Sequence, residues 1–292
     1  MKRGLKWLLA AGVTACLLGV GMMTAGAMIG GVDWLLDFPY FRFGKYRING
    51  GAFADRLTTA DIQGETIGGA NQTVEYTSIR ELKIEVVGDS QVQLFELDRE
   101  ELPEDTIRIV HSGSGEILYE LNTQGDTLAI DLPGTWKNTR WRSVEDLEIY
   151  IPRNYRFREV SIECVAGELD ADAVYAQELS LENVSGSVFI GGGRVDTLEV
   201  ECLSGTTECN ALIERKADVE CTSGTVDITM ADSWQSYDYK WSCLSGTITA
   251  DGRELDAGYN KGKKKEQNHG TGNKVELECV SGTININYKN ES

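Results

Sequence analysis

One short pattern, written six times between Arg158 and Tyr288, limits the folds open to this chain more than any other feature. The copies read SIECVAGEL, SLENVSGSV, EVECLSGTT, DVECTSGTV, KWSCLSGTI and ELECVSGTI. Their central residues are Cys164, Asn183, Cys202, Cys221, Cys243 and Cys279, so three steps of 19 residues are followed by one of 22 and one of 36. A fixed short period marks repeats that stack on one another.

Counting outward from each centre gives the physical unit. Val160, Leu179, Leu198, Ala217, Tyr239 and Val275 stand four residues before it, and Ile162, Leu181, Val200, Val219, Trp241 and Leu277 stand two before it. Between these apolar positions and the centres lie Glu163, Glu182, Glu201, Glu220, Ser242 and Glu278. Alternation with period two describes a strand with one buried face. Three residues after each centre comes Gly167, Gly186, Gly205, Gly224, Gly246 or Gly282, read as a turn that needs φ values glycine adopts cheaply. A second alternating strand follows, with Leu169, Val188, Thr207, Val226, Ile248 and Ile284 pointing inward.

A unit this short cannot bury its apolar face alone, but stacked copies about 4.8 Å apart share a continuous core. The expected fold is therefore all-β, a β-solenoid resembling a parallel β-helix. It has about six short repeats over residues 158–290. A sandwich of antiparallel hairpins is the competing architecture, because a Gly turn can also close a hairpin.

Residues 1–43 read as a membrane anchor with an aromatic belt. Lys2, Arg3 and Lys6 precede a charge-free run from Trp7 to Val32, whose 26 residues would span about 39 Å as a helix against an apolar bilayer core near 30 Å. The basic end stays in the cytoplasm and residues 44–292 lie outside. Cleavage after Ala25-Gly26-Ala27 and lipidation at Cys16 are the competing readings. The run is long for a cleaved signal and stays apolar well past Cys16, so the uncleaved transmembrane helix is preferred. Residues 44–78 are polar and Gly-rich and read as a flexible stalk. Residues 79–157 alternate again without the repeat and read as an irregular β section that caps the stack. Residues 251–273 form an inserted loop with Lys261, Lys263, Lys264 and Lys265, read as a solvated loop able to fold back on nearby carboxylates, with a partner-binding site as the competing reading.

The formal net charge of −18 argues against nucleic acid and favours cations, basic proteins or neutral glycans as partners. Five cysteines and Asn183 share one inward column, so buried free thiols are expected, with Cys202–Cys221 the pair nearest to bridging. His111 and His269, the two histidines, fit no metal pattern. The recurring Ser185, Ser204, Ser223, Ser245 and Ser281 belong to the turn rather than to a nucleophile. No cofactor is expected. Glu163, Glu182, Glu201 and Glu220 should fall on successive rungs as three repelling pairs of about 0.9 kcal/mol each in water's dielectric; weak Ca²⁺ binding would relieve them, and a solvated acidic face that only keeps the chain soluble is the competing reading.

The strand LEIYIPRNY, followed by LEVECLSGTTE, DVECTSGTVDI and ELECVSGTININY, resembles the bacterial putative-adhesin family of unknown function, also called toastrack domains. The resemblance covers roughly residues 79–290, and its turn departs from the family in reading mostly Ser-Gly-Thr. It implies a surface-exposed, membrane-anchored β-repeat protein without catalytic residues to carry over. The function expected is a non-enzymatic cell-surface interaction module, adhesin-like or an envelope scaffold, whose partner is an unidentified surface protein or glycan. The alternatives are a sensory ectodomain in envelope-stress signalling and a β-helical glycan-cleaving enzyme.

Overall fold

The computed structural model describes residues 41–43, 46–48, 62–68, 72–88, 90–112, 116–122, 126–131, 146–256 and 263–289. The anchor expected over residues 1–43, with Cys16 and the Ala25-Gly26-Ala27 site, lies outside them except for the backbone of Phe41–Phe43. Among the described residues no helix is long and apolar enough to cross a membrane.

The chain divides into two units, Met1–Ile62 and Gln63–Ser292. In the first, β1 (Phe41–Phe43) and β2 (Tyr46–Ile48) form an antiparallel pair. The strands that follow are β3 (Ile62–Gly68), β4 (Gln72–Thr77), β5 (Glu81–Val86), β6 (Gln91–Leu97), β7 (Thr106–Ser112) and β8 (Glu116–Asn122). Next come β9 (Thr127–Asp131), β10 (Asp146–Pro152), β11 (Arg156–Cys164), β12 (Glu168–Ala171), β13 (Val174–Asn183) and β14 (Ser187–Ile190). Then follow β15 (Gly193–Cys202), the long β16 (Thr206–Cys221) and β17 (Thr225–Met230). The last are β18 (Asp238–Cys243), β19 (Thr247–Ala250), β20 (Arg253–Asp256), β21 (Lys265–Gln267), β22 (Lys274–Cys279) and β23 (Thr283–Tyr288).

Each repeat contributes two strands to two ladders, and the repeats pair in parallel. One ladder runs β9, β5, β11, β13, β15, the second half of β16, β22 and β18. The other runs β10, β6, β12, β14, the first half of β16, β17, β23 and β19. The Gly turn therefore joins strands of different ladders and closes no hairpin. Inward positions are apolar on rung after rung, and Val160, Leu179, Leu198, Ala217 and Val275 are fully buried. Parallel pairing keeps like side chains level, so one alternating pattern per copy builds a single continuous core.

Two features of the order differ from a stack laid down in chain sequence. The last copy, β22 and β23, slides between the fourth, ending at β17, and the fifth, β18 and β19, so Cys279 pairs with Cys221 on one side and Cys243 on the other. At the opposite end β5 and β6 form a further rung, with Leu82, Ile84 and Val86 level with Val160, Ile162 and Cys164. Strands β9 and β10 lie outside that rung. Much of the section expected to be irregular is thus repeat in structure. Its turn from Val86 to Gln91 is one residue longer than that from Cys164 to Glu168, and this hid the match.

Antiparallel strands cover both ends of the stack, where an open parallel edge would leave backbone N–H and C=O groups unpaired. At one end β7 pairs antiparallel with β10 and with β4, and β8 pairs antiparallel with β9. At the other, β20 pairs with β19 and β21 with β18. The stretch expected as a stalk therefore carries β2 to β4, with β4 built into the cap. The inserted loop likewise supplies both end strands of its ladders.

Candidate functional site

The four glutamates singled out from the sequence do fall on successive rungs, and the row is longer than those four. Glu85, Glu163, Glu182, Glu201, Glu220 and Glu278 stand level on six adjacent strands. Asp131 continues the row at the backbone level on β9, and Ser242 ends it on β18. A second outward row, Glu199, Asp218 and Glu276, runs beside its last three members. Lysines gather where the two rows meet. Lys216 Nζ lies 3.2 Å from Asp218, Lys240 Nζ 3.6 Å from Glu276 and Lys264 Nζ 2.6 Å from Glu278. The inserted loop thus folds back on the carboxylates through Lys264.

Crowding sets the acidity of the row. Burial, followed by the charge of Glu199, raises the pKa of Glu182 above the usual glutamate range. Burial also raises that of Glu220, with Glu278, Asp218 and Glu199 adding to it. Among the described residues no group of three or more Asp, Glu, His or Cys side chains converges on a metal position. A row offers neighbours on a line, so a divalent ion would sit between two rungs rather than in a cage.

The Gly turns owe their residue to close approach more than to backbone angle. Of the six repeat glycines Gly167 alone has a positive φ, +96°. At the other five a Cβ would strike the neighbouring rung: at Gly205 it would lie 2.4 Å from Gly186 O and from Asn183 Oδ1. This corrects the expectation that positive φ is what each of these turns requires. The turn serines are held as the repeat implied. Ser185, Ser204, Ser223, Ser281 and Ser245 each donate from Oγ to a carbonyl on the adjacent rung at 2.7–3.0 Å.

Inside the turn lies the column of centres. Cys164, Cys202, Cys221, Cys243 and Cys279 are buried free thiols, as is Cys209 one column along. Burial pushes Cys164 up to about 11 and Cys209 up to about 12. Asn183 fills the remaining place with every polar atom used. Its Nδ2 donates to Gly186 O, Thr206 O and Thr207 Oγ1 at 2.9–3.1 Å, and its Oδ1 accepts from Gly186 N at 2.9 Å. A buried amide is tolerated where it is satisfied in this way.

A feature missed from the sequence sits where the chain returns from β17 to β18. Earlier returns take two residues, 172–173 and 191–192, whereas this one takes residues 231–237 and includes a 3-10 turn at Trp234–Ser236. Tyr237 anchors it, donating its hydroxyl to Ile213 O at 2.9 Å and accepting from Asp232 N at 3.2 Å. The Trp234 ring stacks on Tyr239 with centroids 3.7 Å apart and planes 7° apart. Asp238 then binds the end of the insertion, accepting from the backbone N–H of His269 at 2.6 Å and of Gly270 at 2.8 Å. Between this return, the ends of β19 and β23, and β20 lies an open cleft of about 1370 Å³. The signal available in the sequence was the step of 22 residues between Cys221 and Cys243.

With the paired ladders, the Gly turns and the capped ends in view, comparison with known families is informative. The family profile described as Toastrack DUF4097 matches residues 156–287. This stretch is similar to toastrack domains. The profile begins at β11 and so leaves the rungs built by β5, β6, β9 and β10 outside its span. Among solved structures, one similar to this chain is a putative cell adhesion protein from Clostridium sporogenes, 18% identical, covering 78% of this chain and 100% of its own, with a TM-score of 0.39. Others are a putative adhesin from Bacteroides fragilis (10% identical; 77% and 97% covered; TM-score 0.31) and a putative lipid binding protein from Parabacteroides distasonis (12%; 76% and 98%; 0.32). No curated protein matches.

Proposed function

We propose that the toastrack-like stretch and its added rungs form a β-solenoid that works as a non-enzymatic interaction module. In this reading residues 1–43 anchor it as a single transmembrane helix and residues 44–292 face outward from a bacterial membrane. The observation that carries the reading is the unbroken run of paired rungs, which holds outward side chains at fixed spacing over the length of the stack. A rigid, regular surface suits binding, because ordering costs are met during folding rather than on contact. The recurring serines support the non-enzymatic side of the reading, since each hydroxyl is committed to a turn carbonyl.

Two measurements on cells test this. Protease added to intact protoplasts is expected to remove the repeat region and leave a small membrane fragment, and cells lacking the protein should adhere less well to cell-wall-coated or host-cell surfaces. A soluble product beginning near Met28, unchanged adherence, or release of sugars from polysaccharide mixtures by the purified chain would each contradict the proposal.

A further inference from the structure

The cleft at the long return is not accounted for by the repeat or by the carboxylate row. We propose that it binds a neutral oligosaccharide, an inference that rests on the reading of this chain as a surface interaction module and names the ligand of that module. The first support is an aromatic ring already fixed in the cleft wall. Trp234 is held by stacking on Tyr239, and Trp241, His269 and Tyr288 meet it edge-on at 6.2–6.4 Å. A ring immobilised before binding loses little side-chain freedom when it packs against the apolar face of a sugar.

The second support is charge. The lining contains three cationic side chains, Arg194, Arg253 and Lys289, and three anionic ones, Glu214, Asp232 and Asp251, within a chain whose net charge is −18. Arg194 and Glu214 are already paired with each other. An anionic ligand would meet carboxylates here and a cationic one would meet guanidinium groups. A polyhydroxylated neutral ligand can donate to one set and accept from the other.

Size is the third support. At about 1370 Å³ the cleft exceeds the roughly 300–1,000 Å³ typical of a pocket for one small molecule. Being open, it suits several linked sugar units better than a single one. Its walls are also built rather than incidental. The long return is pinned by Tyr237, and the hydroxyls of Tyr239 and Tyr288 lie 2.9 Å apart beneath Trp234.

The test uses the full-length chain in mild detergent, followed by tryptophan fluorescence and ligand-observed NMR. The probes are a β-1,4-linked N-acetylglucosamine tetramer, an N-acetyllactosamine-type tetramer and a sulfated tetrasaccharide. One neutral probe is expected to saturate the protein, and which one it is separates a bacterial-wall source from an animal-cell source. Trp234→Ala and Arg253→Ala should each weaken that binding at least tenfold. Arg253 is exposed, so its variant should melt like the parent and keep the test valid if Trp234→Ala loosens the return. Stronger binding of the sulfated probe, no binding of either neutral probe, or wild-type affinity in Arg253→Ala would overturn the proposal. If cells carrying Arg253→Ala still adhere like wild type, the cleft assignment falls while the interaction module stands. If the parent itself confers no adherence, it is the module reading that fails.

Discussion

Replacing Gly205 by Val is expected to leave the repeat region unfolded at room temperature. The Cβ alone would lie 2.4 Å from Gly186 O and 2.6 Å from Asn183 Nδ2, and the first of these is backbone of the adjacent rung. Neither partner can give way cheaply. Gly186 N and Asn183 Oδ1 hold each other at 2.9 Å, and moving the backbone there would pull on Ser187 N, which is bonded to Gly167 O. The strain is therefore passed along the stack, and separating rungs would cost several ladder hydrogen bonds at about 1 kcal/mol each. Against a typical stability of about 5–15 kcal/mol that loss is decisive. Cys202→Ala provides the contrast, since it removes one buried atom from the same turn and should cost only about 1–2 kcal/mol. Urea titration followed by far-ultraviolet circular dichroism ranks the two. If Cys202→Ala proved the more damaging change, the thiol column and not the close approach of turns would hold the stack.

Removing charge from the carboxylate row is expected to stabilise the fold. The double variant Glu182→Gln, Glu201→Gln abolishes three adjacent pairs, Glu163 with Glu182, Glu182 with Glu201 and Glu201 with Glu220. At about 4.8 Å in water's dielectric each pair repels by about 0.9 kcal/mol, so the gain reaches at most about 3 kcal/mol. For a unit of this size that corresponds to a midpoint roughly 5–10 °C higher. Acidification should act in the same direction. The raised pKa values of Glu182 and Glu220 mean that the fold takes up their protons before the unfolded chain does, so stability rises as pH falls through those values and levels off below the ordinary glutamate value.

Glu81 has the opposite sign. Burial works against its charged form, yet hydrogen bonds from Arg158 and Thr127 outweigh it and lower its pKa. Its contribution is present above the ordinary value and disappears as pH drops through the lowered one. The midpoint is therefore expected to climb as pH falls from neutral toward the ordinary glutamate value and to drop below it, and the double variant should lose part of the climb. Calcium bridging between rungs would add a rise at constant ionic strength that the variant lacks. Equal midpoints with and without millimolar calcium would leave the row as repulsion alone, and a variant that melts no higher than the parent would show that the charges are splayed apart.

Much of the fold was legible because period-two alternation reports burial without needing to know which strand pairs with which. Val200 and Ile248 point inward whatever their neighbours. Order along the stack is a different kind of information. Cys279 and Cys243 belong to the same column and match any rung equally well, so residue identity does not reveal that the later copy lies inside the earlier one. The row of glutamates was foreseen for Glu163, Glu182, Glu201 and Glu220. Its extension to Glu85 was hidden by a turn one residue longer, and Glu278 joins it only through that exchange of order. Glycine was foreseen at each turn, with the wrong cause at five of them, since a contact between rungs leaves no trace in one rung's own residues. For the cleft, three extra residues between Cys221 and Cys243 were the sole sign, and the partners Tyr288 and Arg253 come from strands far along the chain.

The exchange of order is also what brings β23 between β17 and β19, and so what places Tyr288 beside the long return. Distances between paired spin labels test it directly, using genetically encoded labels that spare the thiols. With one label at position 166 and the other at 281 or 245, rungs about 4.8 Å apart place position 281 four rungs away, about 19 Å, and position 245 five rungs away, about 24 Å. With the copies in the exchanged order, the 166–281 distance is the shorter of the two. If 166–245 is shorter, the copies stack in chain order, Glu278 no longer follows Glu220 in the carboxylate row, and Tyr288 is not beside the long return.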